Sequence, residues 1–246
     1  MLSIQYEALL KDQIEGQQLQ IHARPGPELT LAGVDFAHVV VPALYLSGDA
    51  VDYFMLPDGR VLAYLVDVSG SGTAAALLCM FIKSMVRHSV AMNRELTASA
   101  VLTDVNRMLL AAETGKYATM ICVIVDPAAD HLQWAHGGHT PRPFFYSGGS
   151  CSRLMDSGKP VGLFAEVDYI NHELALPDSF SFVLFSDGIF DCLPGEDFTS
   201  GEQLLAAQVA QADGNFGRLR DTLSLTQLQQ MPDDISMLVI SRKINE

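Results

Sequence analysis

Four aspartates occupy short glycine- or serine-containing segments where an apolar run gives way to a turn: Asp49 in SGD, Asp67 in DVSG, Asp187 in SDG and Asp233 in DDIS. Taken singly, an Asp of this kind is a turn residue, because it tolerates unusual dihedrals and caps its own backbone. The preceding residues change that reading. Leu44-Tyr45-Leu46, Leu62–Val66 and Phe182–Phe185 read as apolar strands, each delivering an acid at its end. Buried strands converging on carboxylates at one rim repel one another unless a cation neutralises them. Carboxylate and water ligands suit a hard octahedral ion, magnesium or manganese, rather than zinc. Two such ions about 3.5–4 Å apart bind a water between them, lower its pKa and offer it for in-line attack on phosphorus.

A second motif competes with this one. Gly70-Ser71-Gly72-Thr73-Ala74-Ala75 follows a strand and opens a helix, so it satisfies the dinucleotide fingerprint G-x-G-x-x-A. Asp67 precedes the loop, where it would repel a pyrophosphate. The helix leads into another helix rather than a second parallel strand, and no acid stands about 20 residues on to hold a ribose. No Lys follows the glycines, which excludes a P-loop.

Composition narrows the partners. The 246 residues carry 15 Lys plus Arg against 29 Asp plus Glu, a formal charge of −14 that repels nucleic acid and anionic membranes. Apolar residues are 49% and charged ones 18%, which supports a folded core over most of the length. Cys79, Cys122, Cys151 and Cys192 are scattered, with no CxxC pair and no zinc spacing, as in reduced cytoplasmic proteins. The first residues carry acids where a signal peptide has an apolar run. The longest apolar stretch, residues 73–82, is half of a membrane span. A cytoplasmic location is expected.

The elements that must position the aspartates follow from pattern. Residues 2–24 read as a polar helix with a thin apolar stripe at Leu2, Tyr6, Leu9, Leu10, Ile14, Leu19 and Ile21, ended by Pro25-Gly26-Pro27. This gives a helical lead-in over 1–25 and one domain over 26–246. From Asp35 on, short apolar runs alternate with turns. Pro42 interrupts a strand pair, and Pro57-Asp58-Gly59 turns a hairpin. A helix from Thr73 to His88 is apolar all round for ten residues and should be buried. Another, from Leu96 to Ala112, is amphipathic through Leu102, Val105 and Leu109. Strands are expected at 119–127, 131–139, 141–147, 169–176 and 181–188, helices at 201–211 and 218–228, and a closing strand at 235–242. Meander order with grouped helices indicates α+β. Lys83 and Arg87 read as a solvated helix face, Trp134 as core, and His139 as a loop-orienting residue. Arg142 is a weak candidate for phosphate contact.

With these residues in place, the chain resembles a metal-dependent protein phosphatase of the PPM (type 2C-like) class, in its bacterial SpoIIE and RsbU-like branch. The likeness runs from Leu19 to Arg242. It takes in Leu19-Gln20 before Pro25, Pro42-Ala43, Ser47-Gly48-Asp49, Asp67-Val68-Ser69-Gly70, Asn106 and Ala118-Thr119. It continues through Gly137–Pro141, Gly158–Leu163, Ser186-Asp187-Gly188 and Asp233-Asp234-Ile235-Ser236, all in order. The resemblance implies an α-β-β-α sandwich of two antiparallel sheets with two divalent cations, manganese or magnesium, at one edge. By position Asp67 bridges the ions, Asp49 and the Val68 carbonyl complete one site, and Asp187 and Asp233 complete the other. Asp234 stands where distant members carry Asn and supports the ligands. Gly70, Ser71 and His139 lie around the site without ligating.

Two departures stand out. Ser71 occupies a position where this branch often has His or Lys, and a hydroxyl is a poor acid for a leaving serine oxygen near neutral pH. His136 stands where such loops carry Asn. The resemblance further implies a phosphoserine/phosphothreonine protein as substrate, an anti-sigma-factor antagonist, and a place as output domain of a longer regulator such as a response regulator. The stripe on residues 2–24 suggests a homodimer. The alternative is a phosphatase-fold adaptor that binds a signalling partner without turnover.

Overall fold

The computed structural model describes residues 2–93, 96–155, 157–194, 198–227 and 231–243. A helix, α1 (Leu2–His22), leads into β1 (Glu28–Leu31), β2 (Val34–Val41), β3 (Asp49–Met55) and β4 (Val61–Val68). Helices α2 (Gly72–Met92) and α3 (Ala98–Ala111) follow, then β5 (Ala118–Asp126), β6 (His131–Gly137), β7 (Phe144–Ser147), β8 (Ser150–Arg153) and β9 (His172–Ala175). The chain closes through β10 (Phe180–Phe185), a 3-10 turn (Asp187–Cys192), α4 (Phe198–Gln211), α5 (Phe216–Thr222) and β11 (Ile235–Arg242).

The strands form two antiparallel sheets, ordered β3-β4-β5-β6-β9 and β1-β2-β11-β10-β7-β8. Strand periodicity sorts the apolar residues into three layers. Along β4, Val61, Ala63 and Leu65 face the opposite sheet, where they meet Phe182, Leu184 and Leu238. Leu62, Tyr64, Val66 and Val68 face the other way and pack with Leu78, Ile82, Leu102 and Val105 of α2 and α3. On the far side Val183, Phe185 and Val239 pack with Leu205, Val209 and Leu219 of α4 and α5. An interior strand covered on both faces needs a continuous apolar run, and every β4 residue except Asp67 is buried. The architecture is the expected sandwich of two sheets between helices.

Several local expectations change. Residues 44–46 form a loop, not a strand, and Leu44 is 74% exposed. Asp49 therefore opens β3 instead of closing a strand. Pro42 is the reason, since it cannot donate to a ladder and ends β2 at Val41. The first ten residues of α2 are not buried all round, because Leu77 and Phe81 share an exposed face. By length and a mean hydropathy of 1.3, α2 has the dimensions of a membrane span, yet half of that window is buried inside the domain. The strand expected over 119–127 is β5, which starts one residue earlier at Ala118. The short polar strands β1 and β8 escape a pattern search, and α5 is shorter than expected, with Leu228 outside the described residues.

Helix α1 exposes Tyr6, Leu9, Ile14, Leu19 and Ile21. Its second half nonetheless docks on the domain. The Gln20 side-chain amide donates to the Ser47 carbonyl (2.8 Å) and accepts from the Ser47 N–H (3.0 Å). Gln13 donates to the Thr73 hydroxyl at 3.2 Å, and Lys83 Nζ to the Ala23 carbonyl at 2.9 Å.

Candidate metal centre

The two sheets bring their acids to one shared rim. On the first sheet Asp49 pairs with Asp67 across β3 and β4, and Asp67 pairs with Thr119 across β4 and β5. All three continue the row that faces the opposite sheet. Like charges directly opposite on neighbouring strands are destabilising by themselves. On the second sheet β10 ends at Phe185 and releases Asp187, while Asp233 and Asp234 precede β11 beside it. Gly188 permits that approach, since a Cβ there would come within 2.2 Å of the Asp234 carbonyl oxygen.

Asp67, Asp187 and Asp233 line one open cleft of about 400 Å³ together with Val68, Ser69, Gly70, Ser71, Tyr117, Thr119 and Pro232. The Val68 side chain is buried in the helix-facing layer, so the cleft meets its backbone. Asp49 lies behind, 3% exposed, and its Oδ2 has no hydrogen-bond partner. Burial raises the Asp49 pKa well above the usual carboxylate range, and the Asp67 charge adds to this. Asp67 is pushed up to about 7, first by burial and then by Asp187, Asp233 and Asp234. Asp187 is raised by burial and by Asp233.

Asp234 has a different task. Its Oδ1 accepts the Ala43 N–H at 2.7 Å and its Oδ2 the Gly48 N–H at 2.6 Å. Both oxygens are thus spent on the loop that delivers Asp49, consistent with a supporting role. Burial also raises its pKa. The Gln20 contact with Ser47 closes the same loop from the α1 side.

The other expected residues fall around this rim. Gly70 adopts φ +84° in the turn after β4, a backbone that L side chains rarely take. Ser71 is exposed at the start of α2 and makes no side-chain capping bond. His139 is buried and its pKa is pushed down to about 3, chiefly by burial. A neutral ring has one donor; Nε2 donates to the Phe185 carbonyl (2.8 Å), so Nδ1 accepts from the Thr119 hydroxyl (2.9 Å). That clamps the β5 and β10 ends together and makes His139 an orienting residue. Asn106 secures the neighbouring loop, donating to the Phe164 carbonyl and accepting from the Gly162 N–H.

One expectation fails here. Lys83 and Arg87 are not simply a solvated face, although the Arg87 side chain remains half exposed. Lys83 is buried and both contact Asp52, at 3.3 and 3.1 Å. Arg142 lies not in the acidic cleft but in a neighbouring one of about 460 Å³, where its Nη1 is 3.6 Å from Glu202; the two clefts share Asp187. His136 lines that second cleft as well. Sequence reasoning missed Lys116, whose Nζ donates to the Ser69 carbonyl at 2.8 Å. Gln20 entered only as part of the Leu19-Gln20 motif, and its contact with the Ser47 backbone carries no signal without the fold.

The donor set fits a hard divalent cation. Oxygen ligands converge, an Asp49 oxygen is buried with no partner, and three carboxylates are held above their normal protonation range. Among the described residues no group of three His, Cys, Asp or Glu side chains is placed, as it stands, so as to hold a metal ion, and the carboxylates would have to draw together around one.

The family described as Stage II sporulation protein E (SpoIIE) matches residues 57–243. The phosphoserine phosphatase RsbU of Bacillus subtilis is 27% identical over 220 residues, covering 86% of this chain and 64% of that protein. RsbP of the same organism, also called a phosphoserine phosphatase, is 24% identical over 151 residues, 59% of this chain and 37% of RsbP. The chain thus spans less than two thirds of either relative. Among solved structures, the SiaA-PP2C domain of Pseudomonas aeruginosa superposes with a TM-score of 0.82 at 21% identity, covering 99% of this chain and all of that one. The PP2C phosphatase domain of SpoIIE from Bacillus subtilis, with a fragment of its regulatory domain, gives 0.68 at 18% identity, over 84% of this chain and 62% of that one. At these identities the superpositions establish the fold.

Proposed function

The chain belongs to the SpoIIE family, and from that premise we propose that it is a metal-dependent protein phosphatase that hydrolyses phosphoserine or phosphothreonine in a protein substrate. The observation that carries the reading is the cross-strand pair Asp49–Asp67 facing Asp187 and Asp233, with one Asp49 oxygen buried and unpartnered. Asp67, with Asp49 and the Val68 carbonyl on one side and Asp187 and Asp233 on the other, would hold the divalent cations. Bound there, magnesium or manganese supplies an activated water and neutralises phosphoryl charge. RsbX has been solved with magnesium and the catalytic domain of PstP with two manganese ions, both on this fold. Asp234 positions the Asp49 loop, His139 and Thr119 fix the strand ends, and Gly70 and Ser71 form the cleft wall.

The relatives named phosphoserine phosphatases support the substrate class. The ordered motifs point further, to a phosphorylated anti-sigma-factor antagonist and to an output domain, residues 26–246, attached through the lead-in 1–25 to a longer cytoplasmic regulator. The exposed stripe of α1 suits pairing with a second copy, the docked half of the helix relaying its position to the Asp49 loop. Replacing Leu9 and Leu10 with Asp is expected to give a folded monomer by sedimentation. A parent that is already monomeric at tens of micromolar overturns the pairing. The second reading, an adaptor without turnover, is favoured by Ser71. Phosphoserine-peptide hydrolysis with manganese and with chelator separates the two. The phosphatase reading requires turnover that needs the metal, and metal-independent or absent turnover sinks it.

A further inference from the structure

A phosphoserine dianion entering the cleft meets Asp67, Asp187 and Asp233, and none of the side chains lining that cleft is cationic. Yet an ammonium stands against its wall. Lys116 Nζ donates to the carbonyl of Ser69, a residue of the cleft lining, at 2.8 Å. Next to it Gly70 has no side chain to cover the charge, and a Cβ there would sit 3.0 Å from Nζ. In a chain of net charge −14, Lys116 forms no salt bridge with a described carboxylate.

The ammonium is not the turn's only tie among the described residues. Ser69 N–H donates to the Tyr117 carbonyl at 2.9 Å, and Tyr117 N–H donates to Ser69 Oγ at 3.1 Å. These two bonds also tie the turn to the start of β5. A charge held by a backbone carbonyl, left bare by glycine and unpaired with acid has the environment of a phosphate contact. We propose that Lys116 is a substrate-binding residue whose ammonium contacts a non-bridging oxygen of the substrate's phosphoryl group, supplying positive charge that the residues lining the cleft do not. The proposal rests on the phosphatase reading for its substrate, but the phosphate contact itself can be measured without turnover.

The test uses the whole chain with manganese, as the parent, Lys116→Met and Lys116→Arg. Titration calorimetry with orthophosphate reads binding, and p-nitrophenyl phosphate and a phosphoserine peptide read kcat and KM. Expected for Lys116→Met is a loss of orthophosphate affinity and a rise in KM of roughly tenfold or more, with the manganese requirement and thermal midpoint unchanged. Lys116→Arg should recover most of it. Unchanged phosphate affinity overturns the proposal. So does a weakened manganese requirement in parallel with the phosphate loss, which marks Lys116 as a structural pin of the turn. If the parent hydrolyses neither substrate while Lys116→Met still loses phosphate affinity, the phosphatase reading falls and the phosphate contact stands.

Discussion

Asp49 and Asp52 lie three residues apart on β3, each 3% exposed, and their surroundings are opposite. Successive strand residues alternate faces, so an odd spacing sends the two carboxylates to different sides of the sheet. Asp52 points at α2. There Lys83 Nζ lies 3.3 Å away, Arg87 Nη2 3.1 Å, and the Tyr64 hydroxyl donates at 3.4 Å. Asp49 points into the space between the sheets, where it meets Asp67 and Asp234 and leaves Oδ2 without a partner. Burial of an acid therefore says little by itself. What separates a structural carboxylate from a ligand is whether the protein supplies its counter-charge. Around Asp52 it does, within 3.3 Å; Asp49 has no such ion pair, and the Ser186 and Ser236 hydroxyls and the Arg24 charge stand against Asp67 and Asp234, a balance that a cation between the acids would complete.

The largest expected effect tests the ligand side of this contrast. Asp67→Ala removes the residue common to both proposed sites, and kcat with saturating manganese should fall at least on the order of a thousandfold. Activity near the parent level would show that the rim acids are not ligands.

Stability sharpens the contrast, because the two aspartates should respond with opposite sign. Asp52→Ala leaves the buried Lys83 ammonium without its carboxylate, while the half-exposed Arg87 can turn to water, and should cost about 3–5 kcal/mol in urea denaturation, with or without metal. Asp49→Asn relieves repulsion and should stabilise the metal-free protein by about 1–2 kcal/mol. In manganese that order should reverse, since the parent gains binding energy that the variant loses. Two variants destabilised alike in chelator would erase the distinction drawn here.

The pH dependence follows from the same acids. A carboxyl whose folded pKa is raised binds more protons folded than unfolded between its two pKa values, so stability falls as pH rises through that window. For Asp67 the window runs from 3.8 to about 7. A shift of that size corresponds to on the order of 4 kcal/mol as an upper bound. In chelator the midpoint temperature should therefore decline between pH 5 and pH 8, and magnesium should flatten the decline. A metal-free protein that grows more stable over that range contradicts the acid cluster.

Much of this contrast was legible before the fold was known, and the gaps have physical causes. Asp67 and Asp187 could be placed because they interrupt or follow runs that only a doubly covered strand needs, as β4 and β10 show. Asp49 was recognised for the wrong local reason, since its site-facing direction comes from opening β3 after a Pro42-broken loop. Lys83 and Arg87 read as a solvated face because i,i+4 spacing on a helix says nothing about the Asp52 that the facing strand carries. Lys116 and Gln20 act on backbone atoms of segments 47 and 27 residues away, and such bonds leave no periodicity to read.

The smallest expected effect concerns Ser71, which sharpens the contrast from the exposed side. Like Asp49 Oδ2, its hydroxyl lacks a capping partner, but it stands in the open cleft, where water satisfies it without cost. Ser71→Ala should therefore change stability by no more than about 0.5 kcal/mol, less than a working cap would lose. It should also change kcat by less than about threefold, because a hydroxyl is a weak acid for a departing serine oxygen. An imidazole at this position could donate that proton, so Ser71→His should raise kcat for a phosphoserine peptide more than for p-nitrophenyl phosphate, whose leaving group needs no proton. Comparing the two substrates in both variants decides the matter. A tenfold loss in Ser71→Ala confined to the peptide would make the Ser71 hydroxyl part of the machinery, and exposure without a partner would then no longer mark a residue as silent.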